Sequence, residues 1–415
     1  MARKVEDRVH VLIHSIVFPP DGVSTAYLYG DIADTLQRKG CRVSVITSTP
    51  HYNPPGRHIR ANMRKKLFGL FYESIYKGIP VLHISQSKPQ STVGRLVQFV
   101  KFHLLTLWVG LRIPKYDIVL APSPPLTMGL VAIALAKLKG AKAVYNVQEI
   151  YPDLAVNEGT LGNPFLIKFL KYLERFIYNH CFKIVTIDPL FSSIIEDRIK
   201  NRNKLVVIPN FIDTDLYRPE ERTNLFSRQF GLDGYFVVGY VGNVGAYQDW
   251  EIILSAAEKL REEKIRFMIV GDGRKKAWIR EQIAMRALDN ILLIDYQPRE
   301  MIAFVNASAD IHTITMTEAS DLNGLPSKIF AIMASGRIIV AATSRESAIS
   351  RIILEAACGM RVNLGDTEDY VKKIKNAMLN KEETLKQAEN GRRYVEGKYS
   401  KEVVTNKYFE ILTGN

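Results

Sequence analysis

Short apolar runs alternate along this chain with longer stretches whose apolar residues recur every three or four positions, and glycine or proline marks most of the junctions. Val9 to Ile13 is the first run. The loop Phe18-Pro-Pro-Asp-Gly22 follows, then a helical pattern through Tyr27, Leu28, Ile32, Ala33 and Leu36, a stop at Gly40, and a second run from Val43 to Thr47. Strand, loop, helix and strand in that order open a doubly wound α/β fold. Gly22 lies in the first loop, where it either lets backbone approach a phosphate or only turns the chain.

The alternation continues with strands at 117–121, 143–147, 184–187 and 205–208, and with helices at 126–138 and 165–181. Gln148-Glu-Ile-Tyr-Pro-Asp153 comes directly after a strand, at the end where open parallel sheets hold their ligands. Glu149 and Asp153 are therefore candidate site carboxylates, with helix capping as the other reading of Asp153. Pro209 to Pro219 breaks the pattern and is expected to be a linker between domains. The rhythm then restarts: strand 236–240, the loop Gly242-Asn-Val-Gly245, helix 249–262, strand 266–270, the loop Gly271-Asp-Gly273, helix 274–287, strand 291–294 and a short helix at 299–307. A strand at 338–342 and helices at 367–379, 382–396 and 399–412 complete the chain. The expected organisation is residues 1–208, a linker at 209–219, a second doubly wound domain at 220–398, and a last helix, 399–415, packing back on the first domain.

Asp321 to Gly336 combines loop and helix signals. Gly324 and Pro326 break the chain, Ser327 is placed to cap, Ile329, Ile332 and Met333 keep helical spacing, and Gly336 stops the helix. A helix start favours anions, and Lys328 in its first turn brings a full charge that the helix dipole opposes. Lys328 is therefore either an anion ligand or a plain surface lysine.

Composition narrows the classes. With 415 residues, 47% hydrophobic and 24% charged, the chain is globular and long enough for two cores. A net charge of +13 and a pI of about 9.4 point to a polyanionic partner: nucleic acid, an anionic membrane face or a phosphorylated substrate. Three separated cysteines suggest neither a disulfide framework nor a metal knuckle and fit a reducing cytoplasm, and the N-terminus lacks the apolar core of a secretory signal. Arg57, Arg60, Arg64, Lys65 and Lys66 interleave with apolar residues, and the stretch from Val93 to Ile113 is broken by Arg95, Lys101, His103 and Arg112. A spanning helix is excluded; a helix with Trp108 and phenylalanines lying in a lipid interface, or packed on a core, is expected. No nucleic-acid module is recognisable, so a nucleic-acid partner is not expected. Asp213-Thr-Asp215 has the composition of a metal pair but sits in the linker stretch, and no metal or other cofactor is expected.

Pro19-Pro-Asp-Gly22, Gln148-Glu-Ile-Tyr-Pro-Asp153, Pro209-Asn-Phe-Ile-Asp213, Gly239-Tyr-Val-Gly-Asn243, Val270-Gly-Asp-Gly273 and Met333-Ala-Ser-Gly336, in this order across nearly the whole chain, resemble glycosyltransferase family 4. Leu325-Pro-Ser-Lys328 is similar to the subgroup that builds bacterial colanic acid, capsule and O-antigen. The resemblance implies an α/β fold of two Rossmann-like doubly wound domains facing across a cleft. It also implies retaining, metal-independent transfer from a nucleoside diphosphate sugar to a polyprenyl diphosphate-linked glycan by an enzyme peripheral on the inner face of the cytoplasmic membrane. It places catalysis on Lys328, Glu149 and Asp153. Donor contacts fall on Gly22, Asn243, Gly245, Gln248, Asp272 and Gly273, and further on Tyr296, Glu318, Asp321, Asn323, Gly324, Leu325 and Ser327. Acceptor and membrane contacts fall on Arg64, Lys65, Lys66, Arg95, Lys101 and Trp108. The chain departs from the family at five positions: Asn243 and Gln248 stand where an Arg and a Lys are usual, Asn323 and Ala331 where two glutamates are usual, and Gln148 where a histidine is common. A catalytically silent sugar-nucleotide-binding subunit and a two-Rossmann epimerase are the rival readings.

Overall fold

The computed structural model describes residues 8–50, 63–87, 91–157, 159–321 and 326–414. Arg57, Arg60, Asn323, Gly324 and Leu325 lie outside them. The chain divides into two compact units: one runs up to Asn210 and takes in the chain from Val404 onward, and the other is Phe211–Val403.

The first unit is built on a sheet of β1 (His10–His14), β2 (Arg42–Ser48), β3 (Arg64–Lys66), β4 (Phe71–Tyr76), β5 (Ile79–Ile84), β6 (Ile118–Pro122), β7 (Lys142–Val147), β8 (Lys183–Thr186) and β9 (Leu205–Val207). Its order is β3-β4-β5-β2-β1-β6-β7-β8-β9, parallel from β5 to β9, with β3 and β4 added antiparallel at one edge. The central strands are buried on both faces, as parallel strands under crossover helices must be. Three helices share one face: Thr92–Arg112 packs on Thr127–Lys139, which packs on Pro164–His180. The hairpin β3-β4 was not expected from the sequence. Arg64-Lys-Lys66 has no apolar alternation, and its pairing with Phe71 to Glu73 is set by the partner strand.

Of the two positions expected for it, Trp108 takes the core-packed one. It packs against the core of this unit beside Phe71, ring centroids 6.1 Å apart, with the Arg112 guanidinium 3.5 Å above its ring. The exposed stripe of the 92–112 helix is aliphatic instead: Val93, Leu96, Val97, Val100 and Leu104. No helix among the described residues is long and apolar enough to cross a membrane.

The second unit holds β10 (Phe236–Val241), β11 (Ile265–Val270), β12 (Ile291–Ile294), β13 (Ile311–Thr315), β14 (Ile338–Ala342) and β15 (Gly359–Val362), all parallel, in the order β12-β11-β10-β13-β14-β15. The order reverses between β10 and β13, so the carboxyl ends of these strands form the crevice in which doubly wound sheets bind ligands. The stretch expected as a linker is fastened to this unit from residue 212 onward. Ile212 bridges to Ser400, Asp213 pairs with Lys401 at 2.6 Å, and Arg392 donates to the Tyr217 carbonyl at 2.8 Å. The other Asp213 oxygen accepts the Asp215 and Leu216 amides at 3.1 and 3.2 Å. Burial alone would raise the Asp213 carboxyl, but Lys401 and these amides hold it below its usual range.

An ion cluster fixes the far side of the first unit. Glu174, 1% exposed, receives Arg198 through two bonds of 2.7 and 2.9 Å and the Tyr178 hydroxyl at 3.1 Å; Arg198 also binds Asp153, which receives Lys171 at 3.3 Å. Burial pushes the Glu174 carboxyl up despite its partners, whereas at Asp153 the cations outweigh burial and hold the carboxyl down. Arg198→Met would strand a buried carboxylate and should destabilise the first unit by about 3 kcal/mol, read from the urea midpoint. Adding Glu174→Met should return most of that loss, and a double variant as unstable as the single would refute this assignment.

Candidate functional site

Three glycines with unusual backbone lie at the carboxyl ends of β10 and β11. Gly242, Gly271 and Gly273 have φ of 142°, 150° and 156°, a region open to glycine and closed to most side chains. Their role is loop-to-loop contact. A Cβ on Gly271 would lie 1.9 Å from the Gly242 carbonyl, and one on Gly273 would lie 2.3 Å from the Val244 carbonyl. The loops are also bonded together: Gly242 N–H donates to Val270 O at 3.0 Å, Val244 N–H to Asp272 O at 2.9 Å, Gly271 N–H to Ile294 O at 3.1 Å, and Gly273 N–H to the Asp272 carboxylate at 2.8 Å. Gly245 N–H is turned back to Asn243 O at 3.0 Å. These amides are occupied within the protein, so positive charge for an anion must come mainly from side chains.

Lys328 supplies it. Its Nζ donates to the Tyr240 hydroxyl at 2.7 Å and to Gln248 Oε1 at 3.3 Å, and lies 3.9 Å from the centroid of the Tyr240 ring. Among the described residues no carboxylate pairs with it. Burial pulls its ammonium from the ordinary lysine value down to about 7. The sequence expectation of a capped helix is corrected here: the helix is Lys328–Ala334, Ser327 is exposed and makes no side-chain cap bond, and the Ile329 and Phe330 amides are met by the Pro326 and Ser327 carbonyls at 3.1 Å each.

Two residues not singled out from the sequence hold this arrangement. The Tyr240 hydroxyl accepts from Lys328 and donates to Asn243 O at 2.6 Å, while Trp250 Nε1 donates to Gly245 O at 2.8 Å; their rings meet edge to face, 4.7 Å between centroids. Together they fix both ends of the 243–245 turn and the lysine beside it. The available signal was positional: two aromatics with polar tips flank a glycine loop, one at the end of a strand and one opening a helix.

The other donor-side candidates separate into two groups. Asn243, Asp272, Tyr296 and Glu318 are exposed on loops at the carboxyl ends of the strands. Asp321 is not available to a sugar hydroxyl as expected. It is 3% exposed, one oxygen takes the Thr343 hydroxyl and the other takes the Ser344 amide at 3.0 Å, so it anchors the loop after β14. Lys276, also buried, clamps two loops through Gly271 O at 2.7 Å and Asp295 at 2.6 Å.

In the first unit, Glu149 is exposed on the loop after β7, whose backbone is fixed by the Ser123 hydroxyl: Gln148 N–H donates to it at 3.0 Å, and it donates to Glu149 O at 3.2 Å. Gln148 cannot act as a base. Its Nε2 donates to Asn146 Oδ1 at 2.5 Å, and its Oε1 accepts from Asn210 Nδ2 at 2.8 Å; the buried Tyr29 hydroxyl also donates to Asn146 Oδ1. Asp153 belongs to the Arg198 cluster, whereas Glu149 is exposed at this strand end. Gly22 is not among the glycines with a positive φ.

The comparisons fit this geometry. The family model Glycosyltransferase Family 4 matches residues 26–216, and Glycosyl transferases group 1 matches residues 235–380, so the two cover most of the chain, one in each half. WbjE of Pseudomonas aeruginosa, named as a glycosyltransferase, is 28% identical over 65% of this chain and 70% of its own. WcaI of Escherichia coli (strain K12), named as a colanic acid biosynthesis glycosyl transferase, is 23% identical over 79% of this chain and 81% of its own. Among solved structures, Anabaena HepE in complex with UDP superimposes with a TM-score of 0.71 at 15% identity, covering 98% of this chain and 100% of that one. WaaG, a glycosyltransferase involved in lipopolysaccharide biosynthesis, does so with a TM-score of 0.65 at 14% identity over 98% and 100%. The fold is therefore that of the two-Rossmann glycosyltransferases, and with both halves matched by their own family models, this chain belongs to glycosyltransferase family 4.

Proposed function

We propose that this enzyme moves a hexose, with retention, from a nucleoside diphosphate sugar to a lipid-linked glycan during assembly of a bacterial surface polysaccharide. The observation that carries the reading is Lys328, a half-buried cation with no carboxylate partner among the described residues, at the crevice of the second unit. WcaI and WaaG, with their polysaccharide roles, support the process, and HepE, crystallised with UDP and with UDP-glucose, supports the donor class.

The chemistry needs few protein groups. As the bond from the anomeric carbon to the leaving phosphate oxygen breaks, negative charge grows on the diphosphate, and Lys328 meets it. The acceptor hydroxyl attacks the same face of the oxocarbenium-like sugar, and its proton passes to the departing phosphate oxygen. Glu149, exposed on the first unit, is assigned to binding the acceptor. Stabilisation is greatest where charge develops most, which is what raises the rate. Asn243, in place of the usual arginine, adds a neutral donor beside the same position, and the Lys328 charge makes a divalent ion dispensable. Membrane attachment fits the aliphatic stripe of the 92–112 helix, with Arg95 and Lys101 beside it and Arg64, Lys65 and Lys66 on the edge hairpin, so the enzyme works peripherally at the cytoplasmic face.

Lys328→Met, which keeps the volume and removes the charge, should lower kcat by about 10²–10³-fold, the loss that follows removal of one oxyanion donor. It should leave the urea midpoint at pH 7 unchanged or raised, because burying an ammonium opposes folding. The folded pKa of Lys328 lies below its unfolded one, so the wild type should gain stability relative to the variant as pH rises from about 7 to about 10. Unchanged turnover would remove Lys328 from the reaction.

A thermal-shift panel of nucleoside diphosphates should identify one that stabilises by about 2.7 kcal/mol at a hundred times its Kd. A bound diphosphate raises the Lys328 pKa. The affinity it contributes is therefore fully present below about 7 and declines as pH rises above that value. Titrations of wild type and Lys328→Met should converge toward high pH, and parallel curves would show that this lysine does not contact the phosphates.

Transfer should survive EDTA. Complete loss reversed by Mn²⁺ would overturn the metal-independent mechanism. Conversion of the donor to an epimer without acceptor would favour the epimerase reading.

A further inference from the structure

The Pro164–His180 helix carries an apolar ridge that the proposed reaction does not use. Phe165 is 85% exposed, Phe169 60% and Tyr172 69%, and their spacing of four and three residues sets them on one face. Large aromatics in such a row on a solvated face call for an occupant.

Topology shows where the ridge lies. A helix returning the chain between two parallel strands has its first turns beside the carboxyl end of the strand it leaves. The first halves of the 164–180 helix, after β7, and of the 92–112 helix, after β5, are therefore at the same end of the sheet, in one helical layer. The tip of the edge hairpin is there too. Phe71 pairs with Ile84 at the end of β5, Ser85 N–H donates to Leu70 O at 2.9 Å, and the 67–70 turn presents Phe68, 99% exposed. Three separate elements thus expose apolar residues at the end of the sheet where the loop carrying Glu149 also lies.

Charge identifies the occupant. Residues 64–70, 91–112 and 164–180 include Arg64, Lys65, Arg95, Lys101, Lys168 and Arg175, and across all three segments the sole acid is Glu174, which is buried against Arg198. A protein partner or a second copy would bring no general reason to exclude acids from all three segments, whereas an anionic lipid surface disfavours them there. Apolar and aromatic groups entering the acyl boundary with cations at headgroup level is the pattern of an interfacial contact.

We propose that the 164–180 helix, with Phe68, is a second lipid contact that acts together with the 92–112 helix, so that the first unit docks on an anionic bilayer by the end of its sheet that receives the acceptor. The inference rests on the membrane reading above and adds a separate, aromatic contact to it.

The test uses the full chain and vesicles of phosphatidylglycerol mixed with phosphatidylcholine, beside vesicles of phosphatidylcholine alone, at low and high salt. Phe165→Ser/Phe169→Ser/Tyr172→Ser should weaken binding to the anionic vesicles about tenfold and remove the fraction that survives high salt, since salt screens the cations and not the apolar contact. Thermal stability and transfer to a water-soluble acceptor should stay as in wild type. Phe68→Ser should give a smaller loss in the same direction. Arg64→Glu/Lys65→Glu/Lys66→Glu run in parallel should abolish mainly the salt-sensitive part. If the wild type ignores anionic vesicles, the membrane reading itself fails. If the charge variant loses binding while the aromatic variant binds as wild type, this inference alone fails. It fails equally if sedimentation shows a wild-type dimer that the aromatic substitutions dissociate, which would make a second copy the occupant.

Discussion

A half-buried lysine ammonium with no carboxylate beside it among the described residues is the constraint around which the second unit is arranged. An isolated buried cation is costly, and proteins ordinarily pair it or neutralise it. Here partial compensation comes from a ring face, a phenol oxygen and an amide oxygen, all neutral. These dipoles hold Lys328 in place and leave it short of negative charge, which a diphosphate can supply. Tyr240 has to be fixed for this to work, and it is, through Asn243 O and the edge of Trp250. The glycine loops in turn depend on each other: no side chain can replace Gly271 while the Gly242 carbonyl lies against it.

Two polar clusters of the first unit are arranged in the opposite way. Tyr29, Asn146, Gln148 and Asn210 bond to one another in a row, and Glu174 and Asp153 share Arg198, with Lys171 also on Asp153. Such networks rigidify a scaffold, because every member has a partner already. The contrast explains why Gln148 can stand where a histidine is common: the position braces the start of the interdomain connection at Asn210, and an amide, with a donor and an acceptor end, suits two neighbours at once. Glu149, one residue on, is exposed on a backbone that Ser123 holds still.

The periodicity of the sequence was enough for the two doubly wound units, most of their strands and the glycine loops, because burial on both faces forces continuous apolar runs and crossover helices force a 3.6-residue repeat. It was enough also to put Glu149 just after a strand and Lys328 at a helix start, which is where both lie. What it could not reach depended on partners distant in the chain. Asp153 and Asp321 look alike in sequence to any loop acid, yet Arg198 and Thr343 claim them; Ser327 looks like a cap, yet the Pro326 and Ser327 carbonyls satisfy the turn. Trp108 sits in an apolar stretch that has two candidate faces, and only packing against Phe71 decided which one is inside. β3 carries three cations and no alternation, and β15 is four residues long; both exist because a neighbouring strand offers an edge. Local pattern sets which elements form and which end of a strand is open, while long-range contact alone decides which polar groups are already engaged and which remain for a ligand.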